Sequence, residues 1–170
     1  MSFLKRLFSK TKKPSTEVEE RHALNLQVGD IVTYDLADYE VVGKLTYRDG
    51  SYEWYSYQLL EGRDTKWLSA EMDDELELGM YEKVQLPVNK PYPADVDYEG
   101  QTFHKEEEGE AKVLGEGRSS NLQGSTVRYA DYLSDDGELM LSMEAWGSEI
   151  EVSVGSSLEE YELKIIAGST

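Results

Sequence analysis

The sequence predicts an all-β protein: two tandem related antiparallel β units, sandwich- or barrel-like about a pseudo-twofold, preceded by a short N-terminal amphipathic helix and a flexible tether. Three observations predict it. Tyrosine is abundant, with 12 copies against 3 each of Phe and Trp, and aromatic or β-branched residues alternating with polar ones suit strands that have one buried face. Such alternation runs through Ile150, Val152 and Val154 against Glu149 and Glu151, and predicts a further strand at 160–165 from Tyr161, Leu163 and Ile165 against Glu160, Glu162 and Lys164. Short motifs of the first half also return in the same order in the second, as a duplicated unit would leave them.

The chain opens on MSFLKRLFSK. At roughly 100° per residue, a helix over residues 1–13 gathers Phe3, Leu4, Leu7 and Phe8 into an arc of about 140°, with Lys5, Arg6 and Lys10 on the other side. Pro14 and the polar run after it predict a tether over residues 14–25. The first β unit, residues 26–86, begins with Val28, Ile31 and Val32 and a hairpin around Asp35 to Asp38. Asp49-Gly50 between aromatic runs marks another hairpin, because that dipeptide accepts the positive φ angles of a tight turn. Trp67 to Glu71 and then Leu76, Leu78 and Met80 continue as strands. Pro87, Pro91 and Pro93 remove backbone donors and make residues 87–95 an extended connector. The second β unit follows over residues 96–167.

The repeat rests on particular alignments. YSYQLLEGRDTKWLSAE (55–71) matches YADYLSDDGELMLSME (129–144), with Tyr55 over Tyr129 and Leu59 over Leu133. ELEL (75–78) then falls on EIEV (149–152), and YDLADY (34–39) on YEGQTF (98–103). The duplication predicts that Leu68 and Leu141, and likewise Leu76 and Ile150, hold equivalent inward positions.

Charge narrows the function classes. The formal net charge is -18, yet residues 1–14 carry five basic side chains and no acid, which leaves 12 basic and 35 acidic residues, a net of -23, on the rest. A body this acidic repels phosphates and argues against nucleic acid. The absence of cysteine rules out a disulfide framework and thiolate chemistry and suits the cytoplasm. No apolar run approaches the ~20 residues that span a bilayer.

VGDIVTYDLADYEVVGKLTYR, then WYSYQLL, then KWLSAE with its acidic DDELEL continuation resembles the bacterial family called domain of unknown function 4178. The likeness is good over residues 26–84 and looser over 93–165. It implies small bacterial β proteins of unassigned activity, encoded near genes for membrane-stress proteins, small membrane proteins and polyamine aminopropyltransferases, and it offers no functional residue to carry over.

Within DVDYEGQTFHKE, Asp95, Asp97, Glu99 and Glu106 fall at positions 1, 3, 5 and 12 of a calcium-loop pattern, with Gly100 at position 6. Pro91 and Pro93 block the incoming helix such a loop needs, and the repeat aligns the segment with a hairpin, so a β-turn at Glu99-Gly100 is the preferred reading and no metal or cofactor is assigned. His104 follows Phe103 in a strand outside any catalytic motif, and GEGRSSNLQGS (115–125) reads as a hairpin loop. Trp54, Trp67 and Trp146 are read as core, the alternative being a ligand groove. The acidic clusters at Asp73-Asp74, Glu106 to Glu108 and Asp135-Asp136 are read as solvated turns, the alternative being a site for a polyamine or a basic protein.

These features lead to a non-enzymatic cytoplasmic protein acting as a peripheral adaptor at the inner face of the membrane. Phe3, Leu4, Lys5, Arg6, Leu7, Phe8 and Lys10 would contact an anionic membrane surface, while the acidic body meets an unknown protein partner. The alternative is a soluble acidic module that binds a cationic ligand such as a polyamine.

Overall fold

A computed structural model describes residues 20–169. The opening decamer and most of the tether lie outside the described residues. The strands are β1 (Ile31–Tyr34), β2 (Ala37–Asp49), β3 (Tyr52–Glu61), β4 (Asp64–Met72), β5 (Leu76–Val84), β6 (Asp95–Tyr98), β7 (Gln101–Gly117), β8 (Thr126–Ser134), β9 (Met140–Trp146), β10 (Glu149–Leu158) and β11 (Lys164–Ile166). Short 3-10 turns at Ser120–Leu122 and Glu160–Glu162 are the helical content of the described residues.

Eight strands close into an antiparallel barrel in the order β2-β3-β4-β5-β10-β9-β8-β7, with β7 returning to β2. Two long strands make closure possible, since each serves two neighbours in turn along one side. The first part of β2 pairs with β1, and beyond an irregularity between Val41 and Gly43 its residues Gly43–Arg48 pair with Lys112–Gly117 of β7. In the same way β7 pairs first with β6, is irregular between Lys105 and Glu107, and then reaches β2. Bulges of this kind raise local twist and let a strand leave one neighbour for another. Closure removes the sheet edges of the eight barrel strands and leaves only the short β6 and β11 as edge strands.

The two seams that join the halves are tight. At β5–β10 a Cβ on Gly155 would lie 2.3 Å from the Met80 carbonyl oxygen. At β2–β7 Gly117 has φ +61° and a Cβ there would lie 2.4 Å from the Val42 oxygen. Only glycine satisfies both positions.

The apolar face of the wall points outward. Tyr57, Leu59, Leu68 and Ala70 pack under Ala23 and Leu26, Val32 of β1 and partly buried Leu163 and Ile165. On the other side Tyr132, Leu141, Met143 and Val152 pack under Leu86, Val88, Tyr92 and Val96, the proline-rich connector and β6. Tyr132 ties the connector by donating its hydroxyl proton to the Pro93 oxygen at 2.7 Å, and Tyr92 donates to the Arg128 oxygen at 2.7 Å. Two straps therefore cover the barrel from outside.

Several sequence expectations change here. Residues 20–25 are not tether: Ala23 is buried, and Asp30 anchors the strap by accepting from the Gln27 and Gly168 amides at 2.8 Å each and pairing with Arg21 at 3.0 Å. The expected strand at 160–165 is a 3-10 turn followed by β11, and β11 crosses back to β1 rather than staying with the second unit. Leu68 and Leu141 are buried as expected, but outside the barrel wall rather than within it.

An acidic lumen as the candidate functional site

Since the apolar residues face out, the alternate residues of each barrel strand face in, and these are aromatic, small or acidic. Tyr47, Trp54 and Tyr129 stack at the middle of the lumen. The Tyr47 and Trp54 rings are 5.3 Å apart and nearly parallel, and Tyr129 meets Trp54 edge-on at 5.3 Å. Leu45, Ala111, Val113 and Val127 join this layer, with Trp67, Trp146 and Leu122 partly buried against it. Leu122 belongs to the 115–125 segment, read as a plain hairpin loop, whose 3-10 turn tucks into this cluster.

A cavity of about 710 Å³ remains, lined by all eight barrel strands. Nine carboxylates face it, at Asp49, Glu71, Asp73, Glu77, Glu106, Glu107, Asp131, Glu144 and Glu151, against one cation, Lys83. Asp49, Asp73, Glu77, Glu106 and Glu107 are exposed at the end that carries the β2–β3 and β4–β5 turns and form an acidic rim.

The register makes the interior unusual. Glu71 stands directly opposite Glu77, Glu107 opposite Asp131, and Glu144 opposite Glu151. Like charges facing each other across a strand pair are unfavourable, with β-carbons only ~5 Å apart. Among the described residues only Glu151 of the nine has an ion-pair partner, Lys83 at 3.1 Å.

The carboxyl groups respond as the geometry requires. Asp131 keeps accessible surface, but that surface opens into the barrel with protein on nearly every side. Its pKa is pushed up to about 6 by desolvation, then by Glu107 and Glu71, against a lowering contact from Ser142. Glu144 is raised to about 7, chiefly by desolvation, although the Tyr47 hydroxyl donates to it at 2.6 Å. Glu71 is also raised, by desolvation and then by Glu77 and Glu107. The tyrosines act as donors to the acids: Tyr129 to Asp49 at 3.1 Å and Tyr52 to Asp73 at 2.7 Å.

The calcium-loop candidates do not converge. Glu99 and Gly100, with φ of 47° and 78°, form the two-residue turn of the β6–β7 hairpin. Asp95 instead meets His104 Nδ1 at 2.6 Å, Asp97 accepts from the Thr102 hydroxyl at 2.7 Å, and Glu106 sits in the β7 irregularity at the cavity rim. His104 also meets Asp135, and these two carboxylates, Asp135 first, raise its pKa. Among the described residues no group of three or more His, Asp or Glu side chains is placed to hold a metal ion.

Of the clusters singled out in the sequence, Asp73, Glu106 and Glu107 line the cavity, while Asp135 and Asp136 do not. The membrane-contact candidates Phe3, Leu4, Lys5, Arg6, Leu7, Phe8 and Lys10 lie outside the described residues. Isolated acids at 71, 131, 144 and 151 were missed, although patterns such as Trp67, Ser69, Glu71 and Ser142, Glu144, Trp146 at every second position carry the signal of a polar inner face.

The class defined by this geometry is a closed eight-stranded antiparallel barrel with an acidic, aromatic-lined lumen. The chain belongs to the family described as domain of unknown function (DUF4178), whose model matches residues 27–160. An uncharacterised protein of Mycobacterium tuberculosis is 35% identical over 145 residues, covering 81% of this chain and 69% of its own. A second relative, an uncharacterised protein of Aquifex aeolicus, is 27% identical over 176 residues, covering 96% of this chain and 95% of its own. No solved structure matches the chain.

Proposed function

We propose that the protein binds a cationic organic ligand of the polyamine class in the barrel lumen, without chemical conversion. One observation carries the reading: three pairs of carboxylates face each other across strands inside one closed wall, with a single lysine among them. An arrangement so unfavourable when empty is relieved by a guest that brings positive charge. The aromatic layer favours an organic cation, whose methylenes pack on Trp and Tyr faces and whose ammonium groups gain from the ring quadrupoles. Size agrees, because 710 Å³ lies in the range of small-molecule sites.

Isothermal calorimetry with spermidine at physiological salt tests this. Saturable binding at one site is expected, and Glu107→Gln with Asp131→Asn should weaken it at least about tenfold, as loss of charge-assisted contacts does. Association that is unsaturable and vanishes on adding salt would overturn the proposal. The adaptor expectation rests on residues 1–13, outside the described structure, so the lumen is the reading favoured here.

We also infer that the barrel derives from two copies of one five-stranded unit, β1–β5 and β6–β10. In support, Leu68 lies opposite Tyr57 and Met80 as Leu141 lies opposite Tyr132 and Val154. Leu76, four residues before Met80, then corresponds to Ile150, four before Val154.

A further inference from the structure

Four acids of the lumen form a row across four successive strands: Glu107 on β7, Asp131 on β8, Glu144 on β9 and Glu151 on β10. Glu107 faces Asp131 and Glu144 faces Glu151. Asp131 is opposite Ser142, so Glu144, two residues on, is its diagonal neighbour. Facing and diagonal positions in a sheet lie ~5 and ~7 Å apart, close to the spacing of amines joined by three or four methylenes. Next in the barrel comes β5, and it supplies Lys83. The Lys83 ammonium pairs with Glu151 at 3.1 Å and stands 4.8 Å from the centre of the Trp67 ring.

The lumen thus already holds one alkylammonium group at the end of the row, between one carboxylate and one indole face, and each further position of the row offers an amine a carboxylate. Resting on the lumen reading above, we propose that Lys83 is a tethered occupant of the terminal ammonium position, so that the row accepts a linear aliphatic triamine along Glu107, Asp131 and Glu144 and turns away a fourth charge. A lysine serving only to neutralise the lumen would weaken every polyamine alike. A lysine that fills one position sets ligand length.

The test compares wild type with Lys83→Met, which keeps an unbranched stem over Trp67, and with Lys83→Gln as a second variant in case the first folds poorly. Each is titrated by calorimetry with 1,4-diaminobutane, spermidine and spermine at one pH and ionic strength. Wild type should bind spermidine at least as tightly as spermine. In either variant spermine should gain about tenfold, the worth of one ammonium in a carboxylate and aromatic site, while spermidine changes little. An equal gain for all three amines, or no change in their ranking, would overturn the role of Lys83 and leave the lumen reading standing. No binding of any amine by any of the proteins would overturn the lumen reading itself.

Discussion

Glu144→Gln is expected to stabilise the ligand-free protein at pH 7.5 by about 2 kcal/mol, while weakening its hold on a cation. The folded carboxyl is raised to about 7 from its ordinary value of 4.5, so between those values the folded chain binds more protons than the unfolded one. Raising the pH through this window therefore lowers stability; the penalty is absent well below pH 4.5 and complete above about 7. A shift of this size corresponds to roughly 3 kcal/mol, less what is lost when Tyr47 donates to a neutral amide instead of a carboxylate. Urea unfolding from pH 4 to 8 should show the variant and wild type converging at the acid end and separating toward neutrality. Lower stability of the variant at pH 7.5 would show that Glu144 is compensated in the empty barrel and remove the main electrostatic argument for a guest.

The second large effect concerns the straps. Leu68→Ala and Leu141→Ala should each cost about 3 kcal/mol, the usual range for emptying a fully enclosed leucine site. Both side chains are essentially inaccessible, and they lie in separate clusters on opposite flanks of the wall. Their costs should therefore add. The double variant would lose about 6 kcal/mol, a large part of the ~5–15 kcal/mol stability usual for a domain. Chemical denaturation of the three variants measures this directly. Losses below about 1 kcal/mol for either single change would mean that the straps do not clamp the wall as their packing indicates.

The strands themselves were legible. Alternation at 149–154, the hairpin at Asp35 to Asp38 and the stiff proline segment each correspond to an observed feature. What period-two alternation cannot give is the side on which the sheet closes. Glu151 and Val152 differ in polarity, and the sequence says only that they face opposite ways; in the barrel it is Glu151 that faces in. Register was similarly out of reach. Tyr55 aligned with Tyr129 in the sequence, yet the residues opposite Leu68 and Leu141 are Tyr57 and Tyr132, because cross-strand pairing depends on turn lengths that an alignment of motifs does not weigh. The lumen acids were hidden for a third reason. Residues 71, 131, 144 and 151 are scattered along the chain; pairing of β7 through β10 sets Asp131, Glu144 and Glu151 in line with Glu107, and closure of β5 on β10 brings Glu71 to them.

The outer straps have a consequence for how this architecture can diversify. In most small barrels the same inward side chains hold the wall together and shape the ligand site, so a change of guest risks the scaffold. Here the wall is gripped from outside by Ala23, Leu26, Tyr92 and Val96, and much of the inner surface is released from that duty. Substitutions among Glu71, Asp131, Glu144 and Lys83 can therefore retune charge and reach while the clamps stay as they are. A lineage built on this plan is free to alter its lumen one residue at a time, and a protein engineer is offered the same freedom.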